Sequence, residues 1–249
     1  MIRAAHGTPF SDIPALILPA LGQTLLMVGI VMVVVLLLGG PLGVLLFNLG
    51  EGGLFPNRTS HSVLSWTTSI GRSIPFLVLM AAIIPFTRFI VGTNIGIAAA
   101  VVPMSIAGTA FFARIVENAI RAVPSSLVKV ARASGASNLQ IITSVQIHEA
   151  VPILLGGLTI NSIAMVDYSA IAGTIGAGGL GYVAVTYGYQ RFDQPVMIAT
   201  IVVLVVLVGA IQVFGDIAVK RTTPQLRRRS TTSATKRPIS NENRIKENA

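Results

Sequence analysis

The chain has 249 residues, no cysteine, 53 % hydrophobic residues and only 11 % charged ones, where a soluble domain carries about 25 % charged residues. That balance argues against a water-soluble globule, and the missing cysteines exclude a disulfide framework and thiolate chemistry. The formal charge of +9 does not mark a nucleic-acid binder, because most of it is local: residues 220–249 hold nine Lys/Arg against two Glu, and the body before them is nearly neutral.

Five membrane spans are expected. A bilayer core needs about 20 apolar residues per helix, and residues 13–50 supply 38 without a charge, enough for one long or tilted helix. Its Gly39-Gly40-Pro41 step is a candidate kink, which protein neighbours tolerate inside a membrane. The run far exceeds the roughly 7–15 apolar residues of a secretory signal and reads as an uncleaved anchor. The second span covers about 61–90, with Arg72 and Arg88 inside it. The third is 89–113, uncharged, with Gly92, Thr93 and Asn94 marking a turn at its start. The fourth begins near Ala150, passes Asp167 and ends at the glycines around Gly176. The last, 195–215, is an uncharged 21-mer rich in Val and Leu.

Lys and Arg concentrate on the cytoplasmic side of membrane proteins. An odd number of spans separates the termini. Placing the basic tail inside also collects Arg58 and the 114–149 connection there, and leaves Arg3, Arg88 and Arg191 outside. The expected division is an extracytoplasmic segment 1–12, a membrane domain 13–220 and a basic cytoplasmic tail 221–249. That tail is too polar to fold alone, and Arg227-Arg228-Arg229 reads as a contact for anionic lipid.

The 114–149 connection reads as short helices joined by sharp turns. The third helix is expected to continue through Val116, Ala119 and Ile120 and to stop before Pro124, because a residue preceding proline is pushed out of the helical region. Ser125 or Ser126 can cap a helix through Val130 and Ala133, closed by Gly135 where positive φ is needed. Ser137-Asn138-Leu139-Gln140 has capping-box spacing, and Leu139, Ile142 and Val145 or Gln146 fall on one face of the helix it opens. Such a helix either lies on the bilayer surface or docks in the groove of a cytosolic partner.

At this stretch the chain resembles a known family. Ala131-Arg132-Ala133-Ser134-Gly135-Ala136-Ser137, with Gln140-Ile141-Ile142 and Glu149-Ala150-Val151-Pro152, is similar to the EAA loop of ABC-importer permeases. In that family the loop forms coupling helices that sit in a cleft of the ATP-hydrolysing subunit. The resemblance assigns ATPase docking to Gly135, Ala136, Ser137, Asn138, Leu139, Gln140 and Ile142. Two positions depart: Lys129-Val130 stands for the usual opening Glu-Ala, and His148 for the proline before the late Glu. Arg72-Ser73-Ile74-Pro75-Phe76, Ile84-Pro85-Phe86-Thr87-Arg88, Val91-Gly92-Thr93, Tyr168-Ser169-Ala170 and Tyr187-Gly188-Tyr189 narrow the resemblance to methionine-importer permeases, over about residues 20–220.

Gly176-Ala177-Gly178-Gly179-Leu180-Gly181 satisfies G-x-G-x-x-G, but a dinucleotide site needs a preceding strand in a βαβ unit. After a membrane span, these glycines read as close backbone packing or a bend near the pore mouth. Asp167 interrupts an apolar span, where a carboxylate faces protein or water rather than lipid; the resemblance implies Gly there. It reads either as a contact for the ammonium of a zwitterionic cargo or as a structural acid, protonated, hydrogen-bonded or near the interface. The resemblance implies that Tyr168, Ser169 and Ile171 line the pathway beside Asp167, with Ile171 an apolar plug that closes it by excluding water; ordinary helix packing is the alternative. Arg72 reads as snorkelling to the cytoplasmic interface or pairing with a buried acid. Glu117 has Arg114 and Arg121 at i−3 and i+4, pairs that contribute about 0.2–0.5 kcal/mol when exposed. His6, His61 and His148 show no metal-ligand spacing. No Gly-Lys-Ser/Thr occurs, so ATP and Mg are expected on a partner chain and no cofactor on this one.

The expected fold class is an all-α membrane protein: five transmembrane helices with a cytoplasmic coupling helix, the type I ABC importer permease fold, its coupling region at about 125–152. The resemblance implies a homodimer of permease subunits, two cytosolic ATPase subunits, an extracytoplasmic substrate-binding protein and membrane lipid, without nucleic acid. It also implies the plasma (inner) membrane, and charge placement puts the N-terminus outside and the C-terminus inside. Methionine is the implied cargo, with another small zwitterion such as an osmoprotectant as the nearest rival. An intramembrane enzyme using Asp167 needs a second convergent group, and none is apparent.

Overall fold

The computed structural model describes residues 8–223, and among them every regular element is a helix. The expected segment 1–12 is described only from Thr8, and the tail with Arg227-Arg228-Arg229 lies outside the described residues.

α1 (Ile13–Leu49) is one helix of 37 residues, about 55 Å at 1.5 Å per residue. The helix runs on through Gly39-Gly40-Pro41, with Pro41 inside it. Gly39 of this step and Gly43 beyond it bear on packing. A Cβ on Gly39 would sit 3.1 Å from the Thr109 carbonyl oxygen, and one on Gly43 would run into the Ala113 carbonyl and sit 2.5 Å from Val116 Cβ. Gly39 and Gly43 thus form a small-x-x-x-small face on which α5 (Ile97–Arg121) lies backbone to backbone. Met27, Val31 and Val35 of α1 pack with Met104, Ala107 and Phe112 of α5 in the main core.

The second expected span is broken. α2 (Arg58–Ser73) and α3 (Phe76–Ala82) meet at 105°, because Pro75 forces the residue before it out of the helical region and Ile74 is extended (φ −83, ψ 124). α4 (Ile84–Val91) ends at Gly92 with φ 77, so Phe89 to Val91 close α4 instead of opening the third span. Among the described residues, four helices are long and apolar enough to cross a membrane, and the bent α2–α3 pair makes a fifth if counted as one.

α5 ends at Arg121, ahead of Pro124, and α6 (Ser125–Ala133) follows. α7 (Asn138–Gln140) passes through a π-helical stretch, Ile141–Ile147, into α8 (His148–Ala172), and the run reaches Ala177 after 40 residues. It kinks at Ile175 and Gly176 (φ −110 and +98). α9 (Gly179–Val183), a second π-helical stretch Ala184–Gln190 and α10 (Gln194–Thr222) complete the fold. The amides of Gly179 and Leu180 donate to Gln23 Oε1 and Thr24 Oγ1 at 2.7 and 3.0 Å. α9 therefore begins about 15 Å along α1 from its first residue. The glycine-rich segment thus carries the bend at the end of this run and packs its far side against α1.

Candidate coupling corner and translocation pathway

The turn between α6 and α7 is pinned from both sides. Gly135 adopts φ +82; its N–H donates to the Arg132 carbonyl, and that of Ala136 to the Ala131 carbonyl, both at 3.1 Å. These are the two bonds of a Schellman motif. Ser137 Oγ then accepts from the Gln140 N–H (3.3 Å) while Gln140 Oε1 accepts from the Ser137 N–H (2.8 Å), which is the expected capping box. Neither Ser125 nor Ser126 caps α6; Pro124 holds that position without a side-chain hydrogen bond. The expected separate coupling helix is instead the first turns of the 40-residue run into α8. Gly135, Ser137, Asn138, Leu139 and Gln140 are exposed, and Ala136 and Ile142 half-buried, so the seven residues make one outward corner. Leu139 leaves 68 % of its surface uncovered.

Two polar links join this corner to the spans. Asn48 Nδ2 donates to Gln146 Oε1 (2.9 Å) and Gln146 Nε2 to Asn48 Oδ1 (3.0 Å), with both residues fully buried. Sequence reasoning missed this pair; its only signal was a lone amide near the end of each apolar run. The second link was half-anticipated. Glu117 is buried and pairs with both Arg114 (2.7 Å) and Arg121 (2.8 Å). Arg114 also donates to the Ser65 carbonyl, Ser65 Oγ and Ser69 Oγ at 2.8, 2.6 and 2.9 Å. The cluster thus ties α5 to α2, which a solvent-exposed pair along one helix does not do.

The pathway residues fall on different faces. Tyr168 stacks on Phe76, with ring centroids 4.3 Å apart and planes 5° apart. Ile171 is half-buried against the main core. Ser169 is buried, its hydroxyl donating to the Val166 carbonyl at 2.7 Å, so it does not share the exposed face with Asp167. Asp167 is exposed, and among the described residues no group hydrogen-bonds to it or pairs with it.

Its depth follows from packing. A Cβ on Gly108 would lie 2.7 Å from Val35 Cγ2 and 3.0 Å from Met165 Sδ, so the three share one level. Gly108 adjoins the midpoint of α5, and Val35 lies four residues from that of α1. Asp167, two residues past Met165, therefore lies near the mid-length of α1 and α5 and is not held by a hydrogen bond. Arg72 follows Gly71, whose Cβ would meet Ala110 Cβ at 3.1 Å, so its backbone lies level with the middle of α5, and its side chain is exposed with no acid paired to it among the described residues. Asn161, another residue the sequence did not flag, is fully buried and donates to the Gly108 carbonyl at 3.3 Å.

At the opposite end from the corner, the Thr8 amide and hydroxyl donate to Asp193, which also accepts from the Val196 N–H at the start of α10 (3.3 Å). The Thr8 hydroxyl holds the Asp193 carboxyl below the usual carboxylate range, against the opposing effect of burial.

The sequence profile of the binding-protein-dependent transport system inner membrane component matches residues 39–228. A probable D-methionine transport system permease protein of Vibrio cholerae is 49 % identical over 206 residues, covering 83 % of this chain and 92 % of that protein. A methionine import system permease protein of Bacillus subtilis is 40 % identical over 173 residues, 70 % of this chain and 78 % of that protein. A chain of the MetNI methionine ABC transporter, in an inward-facing conformation, superposes with a TM-score of 0.84 at 40 % identity, covering 86 % of this chain and all of that one. With three-quarters of its length inside the matched profile, this chain belongs to the family of binding-protein-dependent transport system inner membrane components.

Proposed function

We propose that this chain is the membrane-spanning permease subunit of a methionine ABC importer, two copies of which enclose the pathway in the inner membrane. The observation that carries the reading is the exposed 135–142 corner, which combines a rigid, doubly capped turn with an uncovered Leu139. A docking site must be both accessible and fixed in geometry. The similarity to methionine permeases supports the cargo.

In this reading two cytosolic ATPase subunits seat on the corners and bind ATP and Mg, and this chain performs no covalent chemistry. Arg58, Arg121, Lys129, Arg132, Lys220 and Arg221 belong to the corner's end of the molecule and Arg191 to the other, so the corner is cytoplasmic by the positive-inside rule. The N-terminus is then outside, where an extracytoplasmic binding protein delivers cargo, and the C-terminus inside. ATP alternates the access of the pathway only through its differential affinity for the two states. Motion at the corner passes directly along the run into α8, and through Gln146 and Asn48 into α1. Ile171 forms the apolar gate, with Tyr168 beside it. Lipid covers Ile198, Val205 and Phe214 of α10, all largely uncovered in the single chain.

Deleting the gene should abolish uptake of radiolabelled methionine, and a plasmid copy should restore it. Uptake that survives deletion, or a defect in osmoprotectant uptake alone, overturns the cargo assignment. Leu139→Asp should accumulate in the membrane yet lose both the co-purifying ATPase and uptake; retention of both overturns the docking assignment.

A further inference from the structure

The ends of α1 and α5 and the start of α2 enclose a cavity of about 440 Å3, whose walls carry Glu51, Arg58, His61, Ser62 and Arg121. The α1–α2 loop builds it. Its amides close the last carbonyls of α1: Gly50 donates to Phe47, Phe55 to Asn48 and Asn57 to Leu49, at 3.1, 3.2 and 2.9 Å. This return brings α2 beside α1, so that a Cβ on Gly50 would lie 3.3 Å from His61 Nε2. With those carbonyls filled, the unmet hydrogen-bonding capacity around the cavity is mostly that of donors. Arg58 is exposed and has neither an acid nor a hydrogen-bond acceptor among the described residues. Arg121 gives Nη2 to Glu117 at 2.8 Å and keeps 58 % of its side chain uncovered, so its other N–H groups stay available. In the first turn of α2 the Ser60 amide donates to Asn57 Oδ1 at 3.1 Å, while the Arg58 and Thr59 amides have no acceptor among the described residues. His61 Nε2 is buried in the wall without a partner as well. Glu51 is the one carboxylate in the wall; it is exposed and pairs with neither arginine.

We propose that this cavity binds the phosphate group of an anionic phospholipid, with Arg58 and Arg121 donating to its oxygens beside the first turn of α2. The charge fits. At these three helix ends Arg58, Arg114 and Arg121 stand against Glu51 and Glu117, which leaves one net positive charge, the complement of a single phosphodiester. A guanidinium presents its N–H donors in a fork that matches phosphate oxygens, and free amides at a helix N-terminus favour an anion. Basic pockets between membrane helices take anionic headgroups in this way. The neighbouring surface favours a lipid over free phosphate. Phe55, next to Pro56 of the cavity wall, borders an apolar groove of about 650 Å3 between α1 and α8, with Val44, Leu45, Val151 and Leu154 in its walls. Acyl chains leaving the loop therefore have an apolar surface to follow. The site goes beyond the importer reading above: it meets no cargo, and the lipid it holds ties the ends of α1, α2 and α5 together.

Native mass spectrometry of the full chain, purified from membranes in a mild detergent, counts the lipid bound. Phosphatidylglycerol should add one tightly held copy per chain and bind at least fivefold more tightly than phosphatidylcholine, whose choline cancels the phosphate charge. Arg58→Gln should weaken that binding at least fivefold, Arg58→Lys less, and Arg191→Gln, at the opposite end of the molecule, not at all. Glu51→Gln should strengthen it at least twofold, a gain that misfolding cannot mimic. Inorganic phosphate in excess should leave the lipid in place. Displacement of the lipid by phosphate, with both lost in Arg58→Gln, keeps the phosphate site but overturns the lipid as its occupant. Equal binding of the two lipids, or phosphatidylglycerol binding that neither Arg58→Gln nor Glu51→Gln changes, overturns the proposal.

Discussion

At the scale of single residues, the membrane setting changes what small and polar side chains are for. Without a hydrophobic drive between apolar helices, close approach of backbones supplies much of the association, and at Gly43 there is no room for a Cβ beside the Ala113 carbonyl of α5. Gly43→Val should lower stability by about 1–3 kcal/mol, the usual range for overpacking, because the opposing atom is a backbone carbonyl that cannot swing aside. Gly40→Ala, three residues earlier with nothing within 4 Å of its Cβ, should cost nothing. Thermal unfolding in detergent compares the two. Asp193 makes a residue-scale prediction about pH. Its folded pKa is lowered, chiefly by the Thr8 hydroxyl, so its contribution is complete above the unfolded value of about 3.9 and is lost as pH falls through the folded one. Proteolysis of the N-terminal segment should stay flat from pH 7 to about 4.5 and accelerate below about 3.9. Asp193→Asn should remove that acceleration.

At the scale of elements, the corner and the spans act as one body because of hydrogen bonds that no local pattern announces. The capping box was legible, since Ser137 and Gln140 sit three apart and satisfy each other within one turn. So was Gly135 at the end of α6, and so were the limits set by Pro124 and Gly92. The Asn48–Gln146 pair was not legible, because its partners are 98 residues apart and amides carry no charge to suggest a complement. Its energetics are asymmetric. Asn48→Leu strands a buried amide on Gln146, whose side chain has no other hydrogen-bond partner among the described residues, and should cost about 1–3 kcal/mol, whereas Asn48→Leu with Gln146→Leu removes both partners and should cost less. Unfolding of the single and double variants measures the coupling. An additive result shows that the two amides do not support each other. The 105° break between α2 and α3 was legible only as a proline; its angle and the resulting Phe76–Tyr168 stack are tertiary facts.

At the scale of the molecule, charge and apolarity divide the chain along two different axes. Basic residues gather at the corner's end, and large apolar side chains on the outer faces of α1 and α10 remain uncovered, as expected of surfaces that meet lipid or a second copy. Alkaline phosphatase fused at Thr8 should be active and a fusion at Thr223 inactive, because the positive-inside rule puts the corner in the cytoplasm. The reverse pattern would place the coupling corner away from ATP and remove the basis of the importer reading.

The sequence by itself determined the class, the approximate spans and the caps of the corner, and its charges gave an expected direction of insertion. Each of these depends on composition, on neighbours within one or two helical turns, or on a sum of charges, and none needs knowledge of which helix touches which. Only the tertiary structure decided that Gly39 and Gly43 pack closely against α5, that Ser169 turns inward, and that Asp167 and Arg72 stand exposed. Those outcomes depend on the rotation and depth of one helix against another, set by interlocking side chains from distant parts of the chain, which hydropathy along a single segment does not encode.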